Sequence, residues 1–276
     1  MAGKLYLVAT PIGNLEDITL RAIRILKEVD VIAAEDTRHT LKLLNHLEIT
    51  KPMISYHRHN EDIKTDKLIE ILKSGKNIAL VTDAGTPAIS DPGEEIVKEA
   101  LKEDIEVIPV PGACALITAL IASGMNTKEF KFIGFLPLNK KNRKEKIEEI
   151  EKETQTIILY EAPHKLLGTL EDLKGIVADR KVVLAKELTK IHEEFIRGTI
   201  QELLEKVKEP KGEFIILIEG ADKSDKERKI EWLRTIPIEE HYQYYEEKGL
   251  KKKDIIKQIA KDRKVTKNEI YQKFVE

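Results

Sequence analysis

The sequence predicts an α/β protein: two α/β domains, residues 1–112 and 113–220, followed by a small helical C-terminal module over 221–276. Three observations carry this. Apolar runs of strand length recur at 4–9, 30–34, 77–82, 106–110, 130–135, 155–160, 181–186 and 213–219, and helical periodicity fills most of the gaps. VIPVPG, 107–112, breaks the chain with two prolines and a glycine between two such series. After Gly220 the sequence turns short, charged and helical in pattern. Strand and helix alternation argues mostly parallel strands, with any ligand at their carboxyl ends.

Taken in order, KLYLVAT is a strand that stops at Pro11 and Gly13, and a helix is expected after Asp17, with Ile18, Ala22, Ile25, Leu26 and Val29 on one face. The second strand ends in AEDTR, 34–38, which groups Glu35, Asp36 and Arg38 for a polar substrate. Asp36 is equally a preferred cap for a helix beginning at Thr37. SYHRHNE, 55–61, sets His57 and His59 on one side of an extended segment, and without a third ligand no metal is expected there. LVTDAGTPAISDPG, 80–93, is the most informative stretch: a buried strand ends, Gly85 and Pro87 forbid regular continuation, and Asp91-Pro92 reads as the cap and first turn of a helix. Ile96, Val97, Ala100 and Leu101 continue that helix. YEAPH, 160–164, and KELTKIHEEFIRG, 186–198, place Glu161, His164, Lys186, Glu187 and Arg197 at further strand tips. ADKSDKERK, 221–229, reads as a polar linker. Beyond it Tyr242, Tyr245, Ile255, Ile256, Ile259, Val265, Ile270 and Phe274 are the expected small core, in a pattern like a helix-turn-helix with Thr266 as an N-cap.

Composition narrows the classes. The chain has 47 Lys and Arg against 49 Asp and Glu, a net charge of −2, so nucleic-acid binding must rest on local patches. Between Lys248 and Lys267 nine Lys or Arg face two Asp, and NKKNRKEK, 139–146, is a smaller basic run. Cys114 is the only cysteine, which excludes an internal disulfide and fits a reducing, cytoplasmic setting. The first residues carry no secretory pattern, and the longest nearly apolar run, 113–125, is too short to cross a bilayer. Neither G-x-G-x-x-G nor a Gly-Lys-Ser/Thr loop is present, so dinucleotide and Walker-type phosphate sites are not encoded.

In chain order, LYLVATPIGNLEDITLRA, AEDTR, SYHRHNE, LVTDAGTPAISDPG, VPGACALITAL, FIGFLP, YEAPH and ELTKIHEE resemble the ribosomal small-subunit methyltransferase I group of the tetrapyrrole methylase superfamily. The resemblance covers nearly residues 1–220, and the basic tail is similar to the one that group carries. Arg58 departs from the pattern, standing where an acidic residue is expected between the two histidines. The resemblance implies α/β domains of tetrapyrrole methylase type with S-adenosylmethionine in the cleft between them, usually in a homodimer. The implied reaction is methylation of the ribose 2′-oxygen of a cytidine in the decoding region of 16S rRNA in the small ribosomal subunit. Carried over by motif, Pro11 lines the cofactor cleft and Gly85, Thr86, Pro87, Ala88 and Ile89 hold the cofactor with backbone groups. Cys114 and Ala115 add contacts, while Tyr160 and Leu188 close over the adenosyl part.

The chemistry of the residues agrees with those implications. A cofactor with a carboxylate, an amine and a sulfonium wants backbone groups near an apolar wall, and a lysine there would repel the sulfonium. Methyl transfer gains from holding the acceptor in line, and a ribose hydroxyl needs a group to take its proton. Glu35, Asp36, Glu161, Lys186 and Glu187 are the candidates, with Arg21, Arg38 and Arg197 gripping phosphate or fixing those side chains. Lys140, Lys141, Arg143, Lys251, Lys252, Lys253, Arg263 and Lys264 are the expected RNA phosphate contacts, and the cytidine would be extruded into the cleft. A methyltransferase for a small tetrapyrrole shares the fold but has no use for the basic tail. A noncatalytic ribosome-assembly factor has no use for intact cofactor loops.

Overall fold

The computed structural model describes residues 1–177, 179–222 and 225–274, with residues 225–229 described by backbone alone. The chain forms two compact units, Met1–Gly220 and Ala221–Glu276. Among the described residues no helix is long and apolar enough to cross a membrane.

The first unit contains two five-stranded sheets. One joins β1 (Leu5–Val8), β2 (Val31–Ala34), β3 (Met53–Ser55), β4 (Ile78–Val81) and β5 (Val107–Val110) in the order β3-β2-β4-β1-β5, every neighbour parallel. Its crossovers are α1 (Leu20–Glu28), α2 (Thr37–His46), α3 (Glu61–Lys73) and α4 (Glu94–Lys102). The period-two alternation of strands puts Leu5, Val31, Ala33, Ile78 and Leu80 into one core, with Leu68 and Ile96. Val8, Ile32, Ala34, Ala79 and Val81 enter the core on the other face, with Ala22, Ile25 and Leu26. Burial on both faces is why these strands read as unbroken apolar runs.

The second sheet joins β6 (Phe130–Gly134), β7 (Thr156–Glu161), β8 (Val182–Lys186), β9 (Glu194–Gly198) and β10 (Phe214–Ile218) in the order β6-β7-β10-β8-β9. Here the expectation of mostly parallel strands fails: only β6 and β7 are parallel, and β10 runs antiparallel to both β7 and β8. A strand buried on both faces looks the same in sequence whichever way it runs. Ile157, Leu159, Val182, Leu184 and Ile216 pack with α6 (Lys140–Lys152), α7 (Pro163–Val177) and α8 (Ile200–Lys206). Ile158, Val183, Ala185, Ile215 and Leu217 face α5 (Ala115–Ser123) and Ile12, from the loop after β1. The isoleucine is the point where the first sheet's loop enters the second sheet's core.

Two helix starts differ from expectation. A short 3₁₀ turn occupies Leu15–Asp17, and α1 begins only after Thr19, whose hydroxyl accepts from Ala22 N. Asp91 does not cap α4: the cap is Gly93, at φ 144°, and its N–H donates to Glu61 Oε1 at 3.1 Å. A Cβ on Gly93 would stand 2.9 Å from Leu80 Cδ2, so the close passage over β4 reserves that position for glycine and displaces the cap by two residues.

The second unit contains α9 (Asp225–Thr235), α10 (Ile238–Glu246), α11 (Lys252–Arg263) and α12 (Lys267–Gln272). The expected linker over 221–229 is already helical from Asp225, and residues 223 and 224 lie outside the described residues. Ile238, Ile255, Ile256, Ile259, Ala260 and Ile270 form the core with Tyr242, Tyr245, Leu250 and Phe274, whereas Val265 is exposed. Thr266 caps α12 in a full capping box with Glu269. Beneath the aromatic residues lies a buried polar network: Tyr245 Oη donates to Asp262 Oδ2 at 2.6 Å, His241 Nε2 stands 3.3 Å from the same oxygen, and Gln258 donates to Oδ1. Arg263 Nε donates to His241 Nδ1 at 3.1 Å, which fixes the imidazole as the neutral tautomer bearing its proton on Nε2. Burial, reinforced by the Arg263 charge and opposed by Asp262, lowers the His241 pKa from its ordinary 6.5. The unfolded chain therefore binds this proton more readily than the folded one, so the second unit loses stability as pH falls through and below about 6.5 and is indifferent to His241 above it. Thermal melts at pH 7.5 and 5.5 check this, with His241→Gln expected to flatten the difference.

Candidate active site

In the first sheet the chain leaves β1 toward β2 on one side and leaves β4 toward β5 on the other, so the crevice between β1 and β4 is the topological switch point where open α/β sheets bind ligands. The two loops that meet there are tied directly. Thr10 N donates to Gly85 O at 2.9 Å and Gly85 N to Thr10 O at 3.1 Å, an isolated antiparallel bridge outside either sheet. Gly85 has φ +85°, and a Cβ there would stand 3.1 Å from Ile12 Cγ2. The loop after β5 joins them, because Thr86 Oγ1 donates to Ala113 O at 3.0 Å. The second sheet reaches the same place through Thr189, whose hydroxyl accepts from Asn14 N at 3.1 Å. Thr189 has φ 66° and Ala88 φ 63°, left-handed conformations that are unusual without glycine.

Two cavities flank the loop after β1. The larger, about 300 Å³, is lined by Ile12, Ala115, Phe135, Tyr160, Ala162, Pro163, Ala185, Leu188, Phe214 and Ile215, with Glu161 and Glu213 as its only charged residues. The smaller, about 220 Å³, is lined by Thr10, Pro11, Gly13, Leu15, His39, Thr40, Leu43, Thr82 and Asp83. Of the residues expected at a cofactor, Ala115, Tyr160 and Leu188 meet in the larger cavity and Pro11 lies in the smaller one. Gly85, Thr86, Pro87, Ala88, Ile89 and Cys114 line neither, although Gly85 abuts Ile12 and Cys114 packs in the same core. An apolar cavity bordered by Glu161 and by Glu213, the latter paired with Lys190 at 3.0 Å, fits a sulfonium-bearing ligand.

The candidate acids and bases sit in unequal surroundings. Asp36 caps α2, and Arg38 binds both of its oxygens, at 3.1 and 2.7 Å, which holds its carboxyl well below the usual range. Glu161 is 5% exposed and fully engaged, with Oε1 accepting from Ala162 N and Oε2 from Thr169 Oγ1. Lys186 lies 3.4 Å from Glu194 beside a different cavity, formed with Lys206 to Lys211. Glu187 is paired with Lys190 at 2.9 Å and accepts from Glu213 N. Glu35 is the exception: among the described residues its one side-chain hydrogen bond is with Asp83 N, 3.5 Å from Oε2. Burial first, then Asp91, raises its pKa, against the Asp83 N–H and the Arg58 charge. Arg58 itself donates to Ser90 O and faces Asp91, whose pKa burial also raises.

Several expected phosphate contacts are engaged inside the protein. Arg143 donates to Asp172 and Thr169, Arg197 to Ala122 O, and Arg263 to His241, Leu233 O and Ile236 O. Arg21, Lys140, Lys141, Lys251, Lys252, Lys253 and Lys264 are exposed. Sequence reasoning missed His39, Thr40 and Asp83. The signal was available: Thr40 and Leu43 follow Asp36 at i+4 and i+7, so the helix that Asp36 caps turns the same face toward the strand tips. Among the described residues no group of His, Cys, Asp or Glu is placed to hold a metal ion.

The chain is similar to known proteins at two levels. Ribosomal RNA small subunit methyltransferase I of Halalkalibacterium halodurans is 52% identical over 98% of this chain and 93% of its own length. The protein of the same name from Bacillus subtilis is 50% identical over 99% and 94%. By structure alone, diphthine synthase matches 79% of this chain and 90% of its own at a TM-score of 0.64 and 16% identity. Uroporphyrin-III C-methyltransferase from Thermus thermophilus, complexed with S-adenosylhomocysteine, matches 78% and 97% at 0.57 and 18%. At that identity the two structures share the fold. Residues 4–204 match the profile of the tetrapyrrole (corrin/porphyrin) methylases. With its loops tied at the switch point of the first sheet, and relatives half identical over nearly their whole length, the chain belongs to the tetrapyrrole methylases and, within them, to the ribosomal RNA small subunit methyltransferase I family.

Proposed function

We propose that this protein methylates the ribose 2′-hydroxyl of a cytidine in the decoding region of 16S rRNA. As a member of its family the chain is an S-adenosylmethionine-dependent rRNA methyltransferase; the proposal adds the acceptor atom and the nucleotide. The observation that carries it is the pair of cavities on either side of one pinned loop, the larger lined almost wholly by apolar side chains, the smaller mixed, with Thr10, His39, Thr40, Thr82 and Asp83 beside Pro11, Leu15 and Leu43. The lobes that enclose them are taken as 1–112 and 113–220, with 221–276 as the RNA-binding module.

Bound S-adenosylmethionine supplies a methyl group on a positively charged sulfur that departs as a neutral thioether. Ile12, Ala115, Tyr160 and Leu188 would hold it, with Pro11, Cys114 and the backbone of Gly85 to Ile89 completing the cleft. Glu161, which accepts from Ala162 N and Thr169, and Glu213, paired with Lys190, would border the side that takes the sulfonium. Glu35 is the general base of this reading: its carboxylate takes the 2′-hydroxyl proton as the oxygen–methyl bond forms. A raised pKa makes a carboxylate a better proton acceptor near neutral pH, and Asp36, Glu161 and Glu187 are each committed to other partners.

Phosphate contacts fall to Arg21, Lys140, Lys141, Lys251, Lys252, Lys253 and Lys264. Lys252 and Lys253 lie in the first turn of α11, where the helix dipole disfavours cations, so an RNA phosphate there relieves a local cost. We further propose a homodimer, because α5 leaves Ile117 and Ile121 exposed one turn apart.

Glu35→Gln is expected to lower methyl transfer to unmodified small subunits by about 100-fold, the usual reach of general-base catalysis, with cofactor affinity unchanged. The wild-type rate should fall with decreasing pH at a value above that of an ordinary carboxylate, because the active form is the ionised one; turnover by the Gln variant equal to wild type removes Glu35 from the chemistry. Deletion of 222–276 should weaken small-subunit binding far more than cofactor binding in calorimetry, and should flatten the salt dependence. Light scattering should give twice the chain mass, and Ile121→Glu should return it toward one. Mass spectrometry of the modified rRNA tests the nucleotide and the 2′-oxygen directly.

A further inference from the structure

We propose that the smaller cavity receives the nucleobase of the acceptor, a cytosine turned out of the RNA, with the Thr40 hydroxyl as its anchoring donor and the Asp83 carboxylate as the acceptor for its amino group. The inference rests on the rRNA methyltransferase reading above and assigns residues that the cofactor does not use.

Thr40 carries the argument. It is 3% exposed, lines the cavity, and its Oγ1 has no hydrogen-bond partner among the described residues. A threonine inside a helix ordinarily gives its hydroxyl to the carbonyl four residues back. Here Asp36 O takes the Thr40 N–H at 3.0 Å but not the hydroxyl. A buried orphan hydroxyl costs stability, so a wall that retains one at a cavity points to a partner that arrives from outside.

The lining selects the kind of partner. Among the described residues no Lys or Arg lines the cavity, and Asp83 is a carboxylate, so a phosphate or sulfate is a poor occupant. Pro11, Leu15 and Leu43 offer apolar surface to the faces of a ring. About 220 Å³ is room for a single pyrimidine base. Cytosine presents an amino donor beside two acceptors on its pairing edge, and a carboxylate accepts from that amino group. Thr40 and His39 supply donors for the acceptors. Uracil would turn a carbonyl oxygen toward the carboxylate and be repelled. Asp83 is held for this task, since its Oδ1 accepts from Asp36 N at 3.1 Å.

Position agrees with chemistry. Pro11 lines this cavity and its neighbour Ile12 lines the larger one, so a nucleoside whose base sits beside Pro11 has its sugar at the loop that separates the two. Asp83 also donates its N–H to Glu35, which ties the base-reading residue to the proposed proton acceptor.

The test uses the full-length protein with small subunits lacking the modification, and follows kcat/KM, cofactor affinity and melting temperature together. Thr40→Val is expected to lower kcat/KM for subunits about tenfold, mostly through KM, while cofactor affinity is unchanged and the melting temperature is equal or higher, because an unpaired hydroxyl has been removed. Thr40→Ser should restore turnover. Asp83→Asn, which keeps an oxygen for Asp36 N, should lower the preference for cytidine over uridine about tenfold in subunits reconstituted with either base at the methylated position. Normal kcat/KM in Thr40→Val, or equal base preference in wild type and Asp83→Asn, overturns the assignment. A parallel fall in cofactor affinity also overturns it by giving the cavity to the cofactor. Failure of the wild-type protein to methylate subunits while it binds cofactor would instead sink the broader reading, so the two failures are distinct.

Discussion

Three backbone donors fix the loop after β1, and the rest of the site depends on that loop staying still. Thr10 and Gly85 exchange two hydrogen bonds, and Asn14 N donates to Thr189 from the second sheet. Each is worth on the order of 1 kcal/mol net, but together they hold five residues between two independently built sheets. Ile12 then plugs into the second core, and its neighbours divide the space into an apolar chamber and one of mixed lining. The left-handed backbone at Ala88 and Thr189 is the strain that this close approach imposes.

Electrostatics separates carboxylates that stand side by side in sequence. Asp36 is held by Arg38 and stays ionised well into acid, whereas Glu35, one residue earlier, is half-buried near Asp83 and Asp91 and is pushed the other way. The bend between β2 and α2 produces the split, because Asp36 serves as the α2 N-cap and meets Arg38 while Glu35 stays near Asp83 N. Arg58 tempers the buried cluster from across the loop, being the cation that opposes the upward shift of both Glu35 and Asp91.

Most of the architecture was legible because both sheets are buried on both faces, which writes eight of the strands as apolar runs. β3 and β9 escaped for opposite reasons: three residues after a proline are too short to show a pattern, and β9 is an edge strand whose Glu194 and Arg197 hide it. The strand tips were taken as the site's address, and the loops around Thr10 and Gly85 were found by their glycines and prolines. Partners were not legible. Nothing in the sequence says that Arg143 reaches Thr169 and that Thr169 reaches Glu161, a chain spanning three elements. Helix periodicity after Asp36 could point Thr40 toward the strand tips, but that it and His39 line a cavity is a property of packing.

The buried knot around Asp262 changes how the basic tail can be dissected. Arg263 spends its guanidinium on an imidazole and two helix-end carbonyls, while the adjacent Lys264, in left-handed conformation, ends α11 with its side chain in solvent. Neutralising the first dismantles the scaffold that displays the second, so lost RNA affinity in an alanine scan would report a collapsed mount at one position and the proposed phosphate contact at the next. Two neighbouring positive charges that look interchangeable in sequence thus answer different experimental questions.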